Sequence, residues 1–164
     1  MALTKISKGL ISDNIGQVVQ TVKSDTWSSS TTSTWVDITG FNVTITPTYS
    51  TSKVLITAHM TISNFSLASF RLVRGSTAIA LGNSLGGNRV QATIGAISFA
   101  RDGNRVSTGS FMFLDSPSTT SATTYKVQAW CYDGTQYINR SYANYDYNYS
   151  SSSISSITAM ELMD

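Results

Sequence analysis

From residue 17 onward, apolar and polar positions alternate in steps of two, the spacing that puts successive side chains on opposite faces of an extended strand. The clearest run is Lys53 to Ile62. Val54, Ile56, Ala58, Met60 and Ile62 share one face, while Lys53, Thr57, His59 and Thr61 take the solvent face with Leu55 as its one aliphatic exception. Phe41, Val43 and Ile45 alternate with Asn42, Thr44 and Thr46 in the same way, and Pro47 ends that strand because it has no N–H for the ladder. The same pattern predicts strands over 17–27, 33–39, 69–74, 76–81, 93–101, 106–114, 123–132, 135–140 and 154–163. Turn chemistry separates them at Arg74-Gly75-Ser76, Gly86-Gly87-Asn88, Asp102-Gly103-Asn104, Asp115-Ser116-Pro117 and Asp133-Gly134. Short strands at intervals of roughly 8–12 residues predict an all-β fold, an antiparallel β-sandwich of jelly-roll-like form, with a barrel as the other arrangement. Trp27 and Trp35 bracket a Ser/Thr run and are expected to anchor the ends of a hairpin.

The first sixteen residues follow a different period. Leu3, Ile6, Leu10, Ile11 and Ile15 recur at three- and four-residue steps, the spacing of one helical face. Gly9 and Gly16 weaken that helix, and Ser12 or Asp13 interrupts it. So short a helix is marginal in water and needs a surface to pack on. Residues 1–16 are therefore expected to form a short N-terminal arm, helical or extended. It either folds onto its own domain or serves docking and self-association, ahead of a sandwich domain over 17–164.

Composition narrows the partners. The chain has 27 serines and 22 threonines among 164 residues, yet only 12% charged residues. An apolar share of 41% separates it from a disordered Ser/Thr linker, which cannot bury enough surface to offset its chain entropy. A net charge of +2 with scattered Lys and Arg leaves no footprint for nucleic acid or an anionic membrane, and no apolar run is long enough to insert into one. No secretory leader is expected from residues 1–10, and lone Cys131 excludes an internal disulfide and a cysteine-based zinc site. The Asn-x-Ser/Thr triplets at Asn42, Asn64, Asn139 and Asn148 then read as by-products of the Ser/Thr content.

Catalysis has little to work with. The single histidine, His59, falls on the polar face of a strand, and Cys131 alternates in phase with Tyr125, Val127 and Ala129 as a small buried group. Asp102, Asp115 and Asp133 stand beside Gly or Ser, where turns call for them. No phosphate loop or metal-ligand spacing is present, so a non-enzymatic protein without cofactor or metal is expected. One segment stands out instead: Tyr142, Asn144, Tyr145, Asp146, Tyr147, Asn148 and Tyr149, followed by serines. Tyrosine offers a large contact area at low entropy cost with a hydroxyl to bond, and Asn, Asp and Ser adapt to polar partners. This is the candidate ligand-binding surface, suited to sugars. The alternatives are a polar loop, or tyrosines packed against a neighbouring subunit. Gly82 to Arg89 reads as a second long loop.

Several stretches resemble a known family. They are Trp35-Val-Asp-Ile-Thr-Gly-Phe-Asn-Val-Thr-Ile-Thr-Pro47, Ser52-Lys-Val-Leu-Ile56, Phe70-Arg-Leu-Val-Arg-Gly-Ser-Thr-Ala-Ile79, Phe113 to Val127, Tyr137-Ile-Asn-Arg-Ser141 and Ser155 to Leu162. Together they look like a β-domain of tail-fibre-like virion structural proteins of marine bacteriophages, and Leu3 to Asn14 is similar to leader segments of phage fibre modules. The Tyr-rich segment departs from the shorter Ser/Gly loop of that family. The resemblance implies a homotrimer assembled in the host cytoplasm into the virion, contacting tail, baseplate or major capsid protein. Two roles follow from it. One is a short tail-fibre or receptor-binding protein that offers loops to a host-surface glycan; the other is a capsid decoration (cement) or head-fibre protein that stabilises the shell.

Overall fold

The computed structural model describes residues 14–64, 66–98, 103–148 and 150–163. Among the described residues eleven strands follow one another: β1 (Ile15–Lys23), β2 (Trp27–Ser29), β3 (Val36–Ile45), β4 (Lys53–Asn64), β5 (Leu67–Arg74), β6 (Thr77–Ile79), β7 (Ile94–Ser98), β8 (Ser107–Asp115), β9 (Thr123–Cys131), β10 (Gln136–Ile138) and β11 (Ser155–Leu162). Every pairing is antiparallel. The protein is an all-β sandwich, and among the described residues there is no helix.

β4 is the longest strand and organises the six-stranded sheet. One edge takes β8 along Val54 to Ile62. The other takes β11 along Lys53 to His59 and then β10 along Ile62 to Asn64. Beyond these lie β1 on β11 and β2 on β10. In the five-stranded sheet β9 lies between β3 and β5, and the far edge of β5 takes β6 and β7. The alternation read from the chain orients both layers. Val54, Ile56, Ala58, Met60, Ile62, Ile157 and Ala159 face inward from one sheet, and Phe41, Val43, Ile45, Phe70, Leu72, Tyr125, Val127 and Ala129 from the other. All are buried, and close packing between the layers is the main source of stability.

Polar contacts close the sandwich at one end. Arg74 Nη1 on β5 donates to both oxygens of Asp115 at 3.0 and 2.9 Å, and the buried Tyr125 hydroxyl donates to the same carboxylate at 2.7 Å. Beside them Glu161, the single glutamate, is buried and accepts from the Thr48 N–H, the Thr48 hydroxyl and Gln17 Nε2. Burial alone would raise its pKa, but these donors together hold its carboxyl below the usual glutamate value. β1 bulges between Ile15 and Val18 to bring Gln17 to this carboxylate, and a Cβ at Gly16 would collide with it.

Several expectations are corrected. Ile15, assigned to the arm, is a strand residue opposite Leu162; Leu3, Ile6, Leu10 and Ile11 lie outside the described residues. The strand expected over 17–27 ends at Lys23, where the chain turns before β2. Trp27 and Trp35 do not anchor a hairpin, because β2 pairs with β10 and β3 with β9 in the other sheet. The strands expected over 33–39 and 41–46 are one strand with an irregularity at Gly40, whose φ of 75° suits glycine. Thr61, placed on the solvent face, is buried, since the 139–155 segment covers it. Asp115 is no ordinary turn residue but the inter-sheet carboxylate described above.

Candidate functional site

The Tyr-rich segment forms the long connection from β10 to β11, and its two ends are fastened where it leaves the sheet. Asn139 follows β10 with φ 65°, a left-handed conformation that Asn tolerates better than most residues. Its side chain is buried. Nδ2 donates to the Lys23 carbonyl at 2.8 Å and the Asp25 carbonyl at 2.9 Å, and Oδ1 accepts from the Ser155 hydroxyl at 2.6 Å. Ser155 Oγ in turn accepts from the Thr61 N–H at 3.1 Å. Four elements thus meet at the base of the loop.

Above this base the chain runs without strand structure and exposes its aromatic side chains. Tyr142, Tyr145 and Tyr147 are all solvent-exposed, as are Asn144, Asp146 and Asn148; Tyr149 lies outside the described residues. The Tyr145 and Tyr147 rings lie 5.6 Å apart, tilted by 57°. With Ser141, Asn144, Asp146 and Ser150 to Ser152 they line an open cavity of about 230 Å³. Local bonds hold its shape: the Asn144 N–H donates to Ser141 Oγ at 3.2 Å, and the Ser150 N–H to the Tyr147 carbonyl at 2.9 Å. Four of the seven residues singled out from the sequence, Asn144, Tyr145, Asp146 and Tyr147, line one concavity, and Tyr142 and Asn148 are not part of its lining.

Two residues outside that segment extend the aromatic surface. Tyr137 points outward from β10 and meets the Tyr142 ring edge-on at 5.7 Å, and the Arg140 guanidinium lies 4.2 Å above the Tyr137 ring. Sequence reasoning missed both. The available signal was alternation: Gln136 and Ile138 are buried, which turns Tyr137 outward. From the far side, the Gly103 carbonyl accepts from the Ala143 N–H at 2.7 Å, and a Cβ at Gly103 would strike the Ala143 methyl. This close approach gives the glycine of the Asp102-Gly103-Asn104 turn a packing role.

The site offers contact surface and hydrogen-bonding groups. Tilted phenol rings provide apolar faces with hydroxyls at their rims, Asn and Ser offer both donors and acceptors, and Asp146 adds one strong acceptor. Exposed rings offer faces on which apolar C–H groups can stack, and the short polar side chains beside them can bond hydroxyls. His59 and Cys131 are far less organised for chemistry. His59 lies on the exposed sheet surface with Nδ1 3.4 Å from Ser110 Oγ, and the Cys131 thiol is buried, pushed up in pKa by that burial, and bonded to the Asp133 carbonyl at 3.0 Å. Among the described residues no cluster of His, Cys, Asp and Glu forms a metal site. The Gly82–Arg89 loop is irregular as expected and bounds a smaller cavity of about 170 Å³ lined by Leu85, Arg89 and Val90 among others. No protein-family model and no curated protein sequence matches the chain.

Proposed function

We propose that the chain is a non-enzymatic virion structural protein of a bacteriophage, of the short tail-fibre or receptor-binding type, whose β10–β11 loop contacts a host-surface glycan. The observation that carries this reading is an exposed tyrosine cluster around an open cavity, on a loop whose base is locked by the buried Asn139–Ser155 pair. A mobile polar loop has no need of such a base. Ordering a recognition surface in advance lowers the entropy lost on binding.

The placement of the two ends of the fold supports the same reading. The loop leaves the sandwich at Ser155, whereas the chain enters β1 at Ile15, opposite Leu162 at the other end of β11. Seven strand steps separate these ends by about 24 Å. A module held at its entry end therefore presents the tyrosines outward. The family resemblance supports the virion setting and a homotrimer, in which three copies of a weak sugar site add avidity.

Adsorption of particles carrying Tyr145→Ala and Tyr147→Ala tests the reading. Host adsorption should fall at least about tenfold, with the assembled protein unchanged in mass and abundance on the particle, since each lost stacking contact is worth of order 1 kcal/mol. Normal adsorption combined with particles that lose their contents on heating would replace this role with that of a capsid decoration protein.

A further inference from the structure

Among the described residues six strands lie at the edges of the two sheets, and five of them carry a feature that blocks further pairing. β2 and β6 are three residues long, and β7 is five, with an irregularity opposite Ala68 to Phe70. β1 bulges between Ile15 and Val18, and β3 breaks register between Asp37 and Asn42. Short length, bulges and charge are the means by which sheets keep their open N–H and C=O groups from pairing with other chains. β8 has none of them. Its nine residues pair with β4 from Val54–Asp115 to Ile62–Ser107 without a shift, and Ser107-Thr-Gly-Ser-Phe-Met-Phe-Leu-Asp115 contains no Lys, Arg or Pro. Its one charge, Asp115, is buried and committed to Arg74 and Tyr125. Alternate residues of an antiparallel strand bond to the same neighbour, so every second residue of β8 turns its N–H and C=O away from β4. Among the described residues β4 is the only strand that pairs with β8.

The side chains identify the strand that fits. Ile56 and Ala58 on β4 face inward and are buried, whereas their β8 partners Phe113 and Phe111 face the same core and stay partly exposed. On the outer side Met112 is 71% exposed and Leu114 45%. A further strand beside β8 covers both pairs, and β8 is complementary to itself. Laid antiparallel on a second copy with Phe111 opposite Phe111, its nine residues overlap in full. Each pair around that centre sets a larger side chain against a smaller one: Met112 meets Ser110, Phe113 meets Gly109, Leu114 meets Thr108, and Asp115 meets the neutral Ser107. No like charges oppose one another. Such an overlap forms about eight to ten backbone hydrogen bonds, the number typical of a whole stable interface. We propose that the β8 edge is a two-fold contact between copies of this chain, in which two six-stranded sheets join into one continuous sheet. The contact uses no residue of the tyrosine loop and is independent of the glycan reading. It pairs copies in twos whether or not they are also grouped in threes.

Sedimentation and cysteine cross-linking test it on the full chain. Ser110→Lys/Met112→Lys changes two exposed positions and sets lysines of the two copies against each other, so it should halve the assembled mass. Val18→Lys/Gln20→Lys, on the same outer face but three strands away on β1, should leave the mass unaltered. Oxidised Thr108→Cys/Leu114→Cys should run at twice the chain mass, because position 108 of one copy faces position 114 of the other at about 5 Å between Cα atoms, within disulfide reach. Inside one strand the same positions lie about 20 Å apart. Each single cysteine variant should therefore stay at chain mass, the buried Cys131 taking no part. An assembled mass that Ser110→Lys/Met112→Lys leaves unchanged would overturn the proposal, and so would a double cysteine variant that does not cross-link or single variants that do. A lower mass in Val18→Lys/Gln20→Lys would overturn it as well, by assigning the contact to the sheet face.

Discussion

Asp115 and Glu161 stand in one cross-strand row of the six-stranded sheet, on either side of Val54, and both carboxylates point into the sandwich. They are stabilised by different means. Asp115 faces a guanidinium and a phenol from the opposite sheet, whereas Glu161 is held by the neutral donors of Thr48 and Gln17. Together they tie β5, β9, the β3–β4 connection and β1 to one end of the fold, the end opposite the tyrosine loop. Buried charge placed at that end ties the two sheets together there.

For the Asp115 cluster, the order of damage is the prediction. Tyr125→Phe removes one donor and leaves the ion pair, so it should cost about 1 kcal/mol. Asp115→Ala strands the Arg74 guanidinium and a fully buried phenol, and should cost about 3 kcal/mol or more. Urea denaturation of both variants provides the comparison, and equal losses would contradict the assignment. Burial, with the bond to Asp115 adding to it, raises the Tyr125 pKa well above its ordinary value. The absorbance change at 295 nm between pH 9 and 12 should accordingly be the same for the folded wild type and Tyr125→Phe.

Glu161 predicts a pH dependence of definite sign. Its folded pKa lies below its ordinary value of 4.5, so the unfolded chain binds its proton first as pH falls. The stabilisation it contributes is complete above about pH 5.5 and is lost as pH drops through 4.5 and below. Glu161→Gln replaces one acceptor oxygen by a donor that faces the donors of Thr48 and Gln17, and should cost about 1–3 kcal/mol at pH 7. The gap between the urea midpoints of wild type and variant should narrow steadily from pH 5 to pH 3. A gap that stays constant over that range would show that the carboxylate charge plays no part.

The β4 alternation was readable because each inward position meets the other sheet and each outward one meets solvent or a cover, so a local pattern reports a local environment. The phase of β11 likewise places Glu161 inward with Ser155, Ile157 and Ala159, though nothing local shows that Thr48 and Gln17 will meet it. Long-range facts were hidden. Trp27 and Trp35 are close in sequence, but strand partners far along the chain send β2, which starts at Trp27, and β3, which follows Trp35, into different sheets. Asp115 precedes Ser-Pro and so looked like a turn residue, whereas its role comes from Arg74 on another strand. The tyrosine loop was visible because several exposed aromatics in a polar stretch are unusual on any fold. Its anchor, Asn139, was not, because a left-handed Asn bonded to distant carbonyls leaves no periodic trace.

That anchor yields the prediction closest to function. Ser155→Ala leaves Asn139 Oδ1 and the Thr61 N–H without the hydroxyl that joins them, at a cost of about 1–3 kcal/mol. Asn139→Ala abandons the Lys23 and Asp25 carbonyls as well and places an alanine at φ 65°, which adds roughly 1 kcal/mol of strain. Asn139→Gly should recover that last increment alone. All three changes lie outside the cavity lining, so any effect on sugar affinity must act through order in the loop. Tryptic cleavage after Arg140 should accelerate in the sequence Ser155→Ala, Asn139→Gly, Asn139→Ala, and, under the glycan-contact function proposed above, affinity for a host-surface polysaccharide should fall in the same order. If cleavage accelerates while affinity is unchanged, the tyrosines bind without being preorganised, and the buried base serves stability only.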